Sequence, residues 1–211
     1  MCIRDSTTPS SAGISGETRS SRDRPQAWVL TRDAFLKPRE PSRHTITFER
    51  GRPCALDGQV SGAVETIEAL ETLAGSYGIG RAIHLGDTII GTKGRVAFEA
   101  PAAETLLVAH RELEKLVLTA RQQRIKELVA QPYGDLVHEG QLLDPVGRDI
   151  EALLLSSQER VTGVVRMLLR PGSLFVEGVE SAYSLMSASR GVYGESAGEW
   201  TPCLLYTSRC V

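Results

Sequence analysis

Residues 161–179 read VTGVVRMLLRPGSLFVEGV. Two apolar runs flank Arg170-Pro171-Gly172-Ser173. Proline presets φ for the first central position of a turn, and glycine takes a positive φ at the next. The stretch therefore reads as two strands joined tightly, and strands joined so closely run antiparallel. Working outward, HTITFERGRPCALDG (44–58) alternates, with Ile46 and Phe48 on one side and Thr45 and Thr47 on the other. It predicts a strand that turns through Glu49–Arg52 into a short second strand. IGRAIHLGDTIIGTKGRVAFEAP (79–101) predicts a further hairpin, turning at Gly86-Asp87.

Helical periodicity fills the gaps. In SGAVETIEALETLAGSYG (61–78), Ser61 is the expected cap, and Val64, Ile67, Leu70 and Leu73 recur every three residues. Gly75 or Gly78 stops this helix. Pro101 opens a longer helix to about Leu118, with Leu106, Leu107, His110, Leu113 and Val117 expected inward. Thr119 caps the next helix, through RQQRIKELVAQ. Asp144 and Pro145 start another, which carries Ile150, Leu153 and Leu154. The order of strands, helix, strands, helices and strands implies an α+β fold. It argues for antiparallel hairpins packed with several helices rather than a doubly wound sheet.

The two ends do not resemble what lies between them. CLLYTS (203–208) can be written TGT CTC TTA TAC ACA TCT, whose reverse complement encodes Met-Cys-Ile-Arg-Asp and opens a serine codon, as in MCIRDS at residues 1–6. This inverted repeat resembles the transposon end used as a sequencing-library adapter. Residues 1–6 and 203–211 are accordingly read as adapter-derived flanks outside any packing scheme. Residues 7–41, rich in Ser, Arg and Pro, are expected to be a poorly ordered lead-in segment, with Trp28 and Phe35 touching the domain at 42–202. Setting the flanks aside leaves Cys54 as the one thiol, with 22 basic and 25 acidic residues and a formal charge of −3. That composition argues against a disulfide framework, a CxxC metal site and a basic nucleic-acid surface. No apolar run approaches the roughly 20 residues that span a bilayer. A reducing, cytoplasmic setting follows.

Few residues point to chemistry. YGIGR (77–81) has GxG without the third glycine, and it follows a helix, so a dinucleotide fingerprint fails. His84, His110 and His138 lie far apart, with no H-x-x-x-H pair for a metal. His110 reads as a hydrogen-bonded core histidine and Cys54 as a structural cysteine. The stretch GDTIIGTKGR sets Asp87, Lys93 and Arg95 around a glycine-rich turn. It offers both charges to a zwitterionic ligand, with a solvated hairpin tip as the plainer alternative.

Three stretches, YGIGRAIHLGDTIIGTKGRVAFEAPAAETLLVAHRELEKL, SSQERVTGVVRMLLRPGSLFVEGVES and YSL, make the chain from about His44 to Pro202 resemble the C-terminal part of argininosuccinate synthase. That resemblance implies a ligase joining citrulline to aspartate at the expense of ATP, with an adenylated citrulline intermediate. It implies an ATP site in an N-terminal domain bearing Ser-Gly-Gly-Leu-Asp-Thr-Ser, a stretch that does not occur here. It also implies that this chain is inactive alone and that the parent is a homotetramer; no metal site is expected in this chain. The family's tyrosine contact to citrulline falls on Phe98, which lacks the hydroxyl, and its glutamate on Gly86. Asp87, one residue on, is the carboxylate expected to meet the citrulline amine. GISGETR, with Ser15, is similar to an upstream serine motif of the family. The hairpin strands, with Val164, Met167, Leu168, Leu174, Phe175 and Val176, are more apolar than a one-faced sheet needs, so both faces are expected to be covered, one of them by another subunit. The competing reading is a stand-alone oligomerisation or small-molecule-binding module without catalysis.

Overall fold

In the computed structural model the described residues are 3–4, 28–87 and 91–188, with the first pair and positions 84, 87, 95 and 96 described by backbone alone. Two antiparallel sheets and five helices account for them. The larger sheet takes its strands from both ends of the domain. β2 (Ser42–Glu49), β3 (Arg52–Leu56), β4 (Gln59–Val60), β7 (Gly163–Arg170) and β8 (Ser173–Glu180) lie in the order β4-β3-β2-β7-β8. The smaller sheet pairs β5 (Arg81–Asp87) with β6 (Lys93–Glu99), and β1 (Ile3–Arg4) adds to the free edge of β6. The α+β expectation from alternating hairpins and helices holds.

The β7–β8 turn forms as read. Gly172 takes φ of 71°, and its N–H donates to the Tyr77 carbonyl at 2.7 Å. Period-two alternation sends Ile46 and Phe48 of β2, with Val165, Met167 and Leu169 of β7, to one buried face. α1 (Ala63–Ser76) and α2 (Pro101–Val117) lie across that face, and Leu70, Ala109, Leu113 and Val117 complete the core. α3 (Ala120–His138) and α4 (Pro145–Gln158) form an outer pair, followed by a single turn, α5 (Leu185–Ala188).

The face expected of α2 holds apart from Leu107, which is exposed, while α1 is turned from its expected face. Val64 and Ile67 are exposed, and Thr66, Leu70 and Ala74 of α1 are buried, as are Ala102, Thr105 and Ala109 of α2. α1 and α2 pack closely on each other, and close approach selects the small side chains over the large ones. Ser61 is not the cap. Its N–H is held by the Cys54 carbonyl and its hydroxyl by Thr66 Oγ1, so α1 starts from Gly62. Thr119 and Asp144 do cap α3 and α4, Thr119 in a reciprocal box with Gln122. The short strand expected at 53–58 ends at Leu56, where Asp57-Gly58 turn into β4. The hairpin at 79–101 does not turn at Gly86-Asp87. Its ladder runs on through Gly86 opposite Gly94 to Asp87 opposite Lys93.

Of the lead-in segment only residues 28–41 are described, and part of that stretch is packed. Thr31 and Ala34 are buried and Trp28 lies under Arg81, whereas Phe35 remains 83% exposed. The N-terminal flank also pairs, Ile3 opposite Phe98 and Arg4 opposite Ala97. An open strand edge offers unpaired N–H and C=O groups to any extended segment, whatever its sequence.

Candidate functional site

The β5–β6 ribbon carries the residues that the sequence singled out. Its register sets Asp87 opposite Lys93, Gly86 opposite Gly94, Ala82 opposite Phe98 and Arg81 opposite Glu99. Asp87 and Lys93 are thus brought together as a cross-strand pair at the far end. Phe98 is half-buried near the base, five residues away along the ribbon, or about 17 Å at the rise of a strand. Positions 86 and 98 fall on one face of the ladder and position 87 on the other. The Asp87 side chain and Ser15 lie outside the description.

The base of the ribbon was not singled out in the sequence, and it holds the densest polar contacts. Glu99 is buried at the end of β6. Its Oε2 accepts from the N–H groups of Val29 and Leu30, at 2.6 and 2.9 Å. Its Oε1 accepts from the N–H of Thr31 at 2.9 Å and from the Thr31 hydroxyl. From the facing strand, Arg81 Nε donates to Thr31 Oγ1 at 2.6 Å and a terminal nitrogen donates to the Thr31 carbonyl at 2.8 Å. The guanidinium stacks on Trp28, 5.0 Å from the ring centre. Burial works against ionisation of Glu99, but the hydrogen bonds from Thr31, Leu30 and Val29 outweigh it and hold the carboxyl below its ordinary range. The available signal was the register itself, because counting back from Asp87–Lys93 makes an acid and a base face each other at 81 and 99.

Two further clusters sit on the body. Asp57 Oδ2 meets His44 Nδ1 at 2.7 Å, and His44 Nε2 meets Ser42 Oγ at 2.6 Å. That connectivity matches an acid–base–nucleophile triad. Here, however, Ser42 Oγ is also engaged by the Tyr77 hydroxyl at 2.6 Å, and Tyr77 reaches the Glu40 carbonyl. The relay ties β2 to the end of α1. On α2, His110 Nε2 meets Gln158 Oε1 at 2.9 Å and its ring packs edge-on against Phe48, as expected of a core histidine. Its neighbour Glu114 pairs with Lys126 and accepts from Gln158 Nε2 at 2.7 Å. Burial pushes His110 below its ordinary range; Glu114 and Gln158 oppose this and Lys126 adds to it.

Cys54 borders a groove of about 820 Å³ whose walls include Glu49, Arg50, Arg52, Ser156 and Glu159. Burial pushes its thiol up, Glu49 adds to that, and the sulfur rests 3.5 Å from the Thr47 carbonyl. No thiolate-stabilising cation is among these causes, so a structural cysteine is the fitting description. Among the described residues there is no cluster of three metal-ligating side chains, and no helix is long and apolar enough to cross a membrane.

The sequence model of a family described as "Arginosuccinate synthase C-terminal domain" matches residues 10–199. The chain belongs to the argininosuccinate synthase family. It is 42% identical over 175 residues to the argininosuccinate synthase of Xanthomonas campestris pv. campestris, covering 83% of this chain and 43% of the relative. With the Synechococcus strain JA-3-3Ab synthase it shares 40% identity over 170 residues, 81% of this chain and 42% of the relative. With the synthase of Dictyoglomus thermophilum it shares 41% over 159 residues, 75% and 40% of the two chains. The chain therefore spans less than half the length of these synthases. The family match takes in residues 28–34, so the contacts made to Glu99 and Arg81 lie within the family's own domain.

Proposed function

We propose that this chain is the C-terminal half of a cytoplasmic ligase that joins citrulline to aspartate with ATP. The observation that carries the reading is the family match over residues 10–199, together with about 40% identity to synthases over most of the chain. In this reading ATP is bound by an N-terminal domain, and the ribbon closes one side of the citrulline site. Four copies assemble in the intact enzyme. Asp87, the last residue of β5 and opposite Lys93, supplies the carboxylate for the citrulline amine. Phe98 stands at the family's tyrosine position without a hydroxyl to offer, and Ser15 is a weaker candidate upstream.

Two measurements test this. Catalysis needs ATP and both amino acids held in register. The 211-residue chain alone is expected to form no AMP from ATP, citrulline and aspartate, and joined to the upstream half of its gene it is expected to do so. In that whole enzyme, Asp87→Asn removes a charge-assisted hydrogen bond. It should raise the KM for citrulline by roughly ten- to a hundredfold while leaving that for ATP nearly unchanged. An unchanged citrulline KM makes Asp87 a turn residue. AMP formation by the chain alone sinks the division of labour.

A further inference from the structure

We propose that Glu99 is a positioning residue. Its buried carboxylate fixes the angle at which the β5–β6 ribbon leaves the body, and so where the citrulline end of the ribbon stands. The proposal rests on the functional reading above.

Among the described residues the ribbon has little else to hold it. β5 and β6 pack chiefly on each other and on the two residues of β1, and an isolated antiparallel pair is marginal in water. Ile83 and Leu85 on β5 are exposed. Order has to be imposed from the base, where Glu99 and Arg81 face each other across the ladder. Both reach the same short strap, residues 28–31. The strap in turn is pinned to the body, the Arg32 N–H donating to the Gly75 carbonyl at 2.9 Å and Ala34 lying buried beside Gly78. Force therefore passes from body to strap, from strap to Glu99 and Arg81, and from these to the ribbon.

The chemistry of the joint is selective for an ionised carboxylate. Three successive N–H groups converge on one point, as in the concave anion sites made by backbone nests. The chain supplies the anion itself. A glutamine would turn an amide NH₂ toward these donors, and an aspartate falls one methylene short of serving both oxygens' partners. Geometry then amplifies any slack. Six residues separate Arg81 from Asp87 on β5, about 20 Å of strand, so a tilt of roughly 5° at the base moves the far end by about 2 Å. Misplacement by about 1 Å is enough to cost a reaction roughly a hundredfold.

The test has two readouts. In the 211-residue chain, Glu99→Gln should speed amide hydrogen exchange by at least about tenfold at Val29, Leu30 and Thr31 and also along the ribbon, at Ile83 and Ala97, while Ile46 and Val165 in the body keep their protection. Release of the strap alone, with the ribbon unchanged, overturns the proposal. In the whole synthase, the same substitution should raise the citrulline KM about tenfold or more with the ATP KM within about twofold, and Glu99→Asp should recover only part of it. Equal citrulline KM values overturn the positioning role. If Glu99→Gln does not fold, Thr31→Val, which deletes only the hydroxyl shared by Glu99 and Arg81, carries both measurements with a smaller effect in the same direction. A wild-type synthase indifferent to citrulline overturns the functional reading and leaves the exchange result to decide the joint.

Discussion

Cys54 and Leu113 show the two extremes of what single residues decide. The Cys54 thiol is pushed up by burial and by Glu49, so little of it is thiolate near neutral pH. We expect it to react with iodoacetamide more slowly than free cysteine at pH 7.5; faster alkylation would show an activating partner and reopen a chemical role. Leu113 is fully buried between the sheet and α1. Leu113→Ala should cost about 2–5 kcal/mol in denaturant unfolding, and a loss below about 1 kcal/mol would mean the site collapses around the cavity. Residues of this kind were legible in the sequence because periodicity marks them. Glu99 and Thr31 were not: a buried carboxylate and a lone threonine declare themselves only when a strand end meets a strap 68 residues earlier. Asp87 was legible as a charge in a turn, but its face on the ribbon depends on a register that one residue inverts.

Elements were read well where local chemistry ends them and poorly where packing sets them. The caps at Thr119 and Asp144 needed only their own few residues. Thr119→Ala should therefore destabilise the chain by about 1 kcal/mol, measured as a shift of the unfolding midpoint, and no shift would mean α3 is not part of the cooperative unit. The end of α1 rests on Gly78, at φ of 72°, where an added Cβ would stand 2.7 Å from the Arg32 carbonyl. Gly78→Ala is expected to cost more than about 1 kcal/mol, from the left-handed backbone as well as from the clash that displaces the strap. A neutral substitution would show that the strap yields freely. The rotation of α1 was beyond reach of the sequence, because an i+3 stripe of Val64, Ile67 and Leu70 looks as good as the smaller stripe that meets the neighbouring helix. The hairpin turn was misplaced for a similar reason: Gly86-Asp87 is a good turn pair, but both residues are themselves in the ladder, opposite Gly94 and Lys93.

For the molecule as a whole, the α+β architecture followed from hairpin turns and helix caps, while the union of β2 with β7 across more than a hundred residues was a matter for the fold. Among the described residues, two groups bear on the acid response. His110 is held below its ordinary value of 6.5, so the unfolded chain takes up a proton first and stability should decline as pH falls from about 6.5 through the lowered folded value. Glu99 is held below 4.5, so its contribution is present above that pH and is lost as pH falls through its own depressed value. Unfolding followed across pH should show two separate declines, and His110→Gln should remove the upper one only; a single decline confined to low pH would contradict the account of His110. Deleting residues 1–6 removes the two-residue strand Ile3–Arg4 from an open edge, so the midpoint should stay within about 0.5 kcal/mol; a larger loss would make β1 integral to the ribbon. The outer helix pair answers to different rules. α3 has no fully buried residue, and its main tie to α2 is the pairing of Lys126 with Glu114. The connection from Glu139 to Leu143 is exposed save for Leu142. A protease given brief access should cut there before the other described connections between 93 and 180, leaving two pieces that stay together on a sizing column because β2 still grips β7 across the nick.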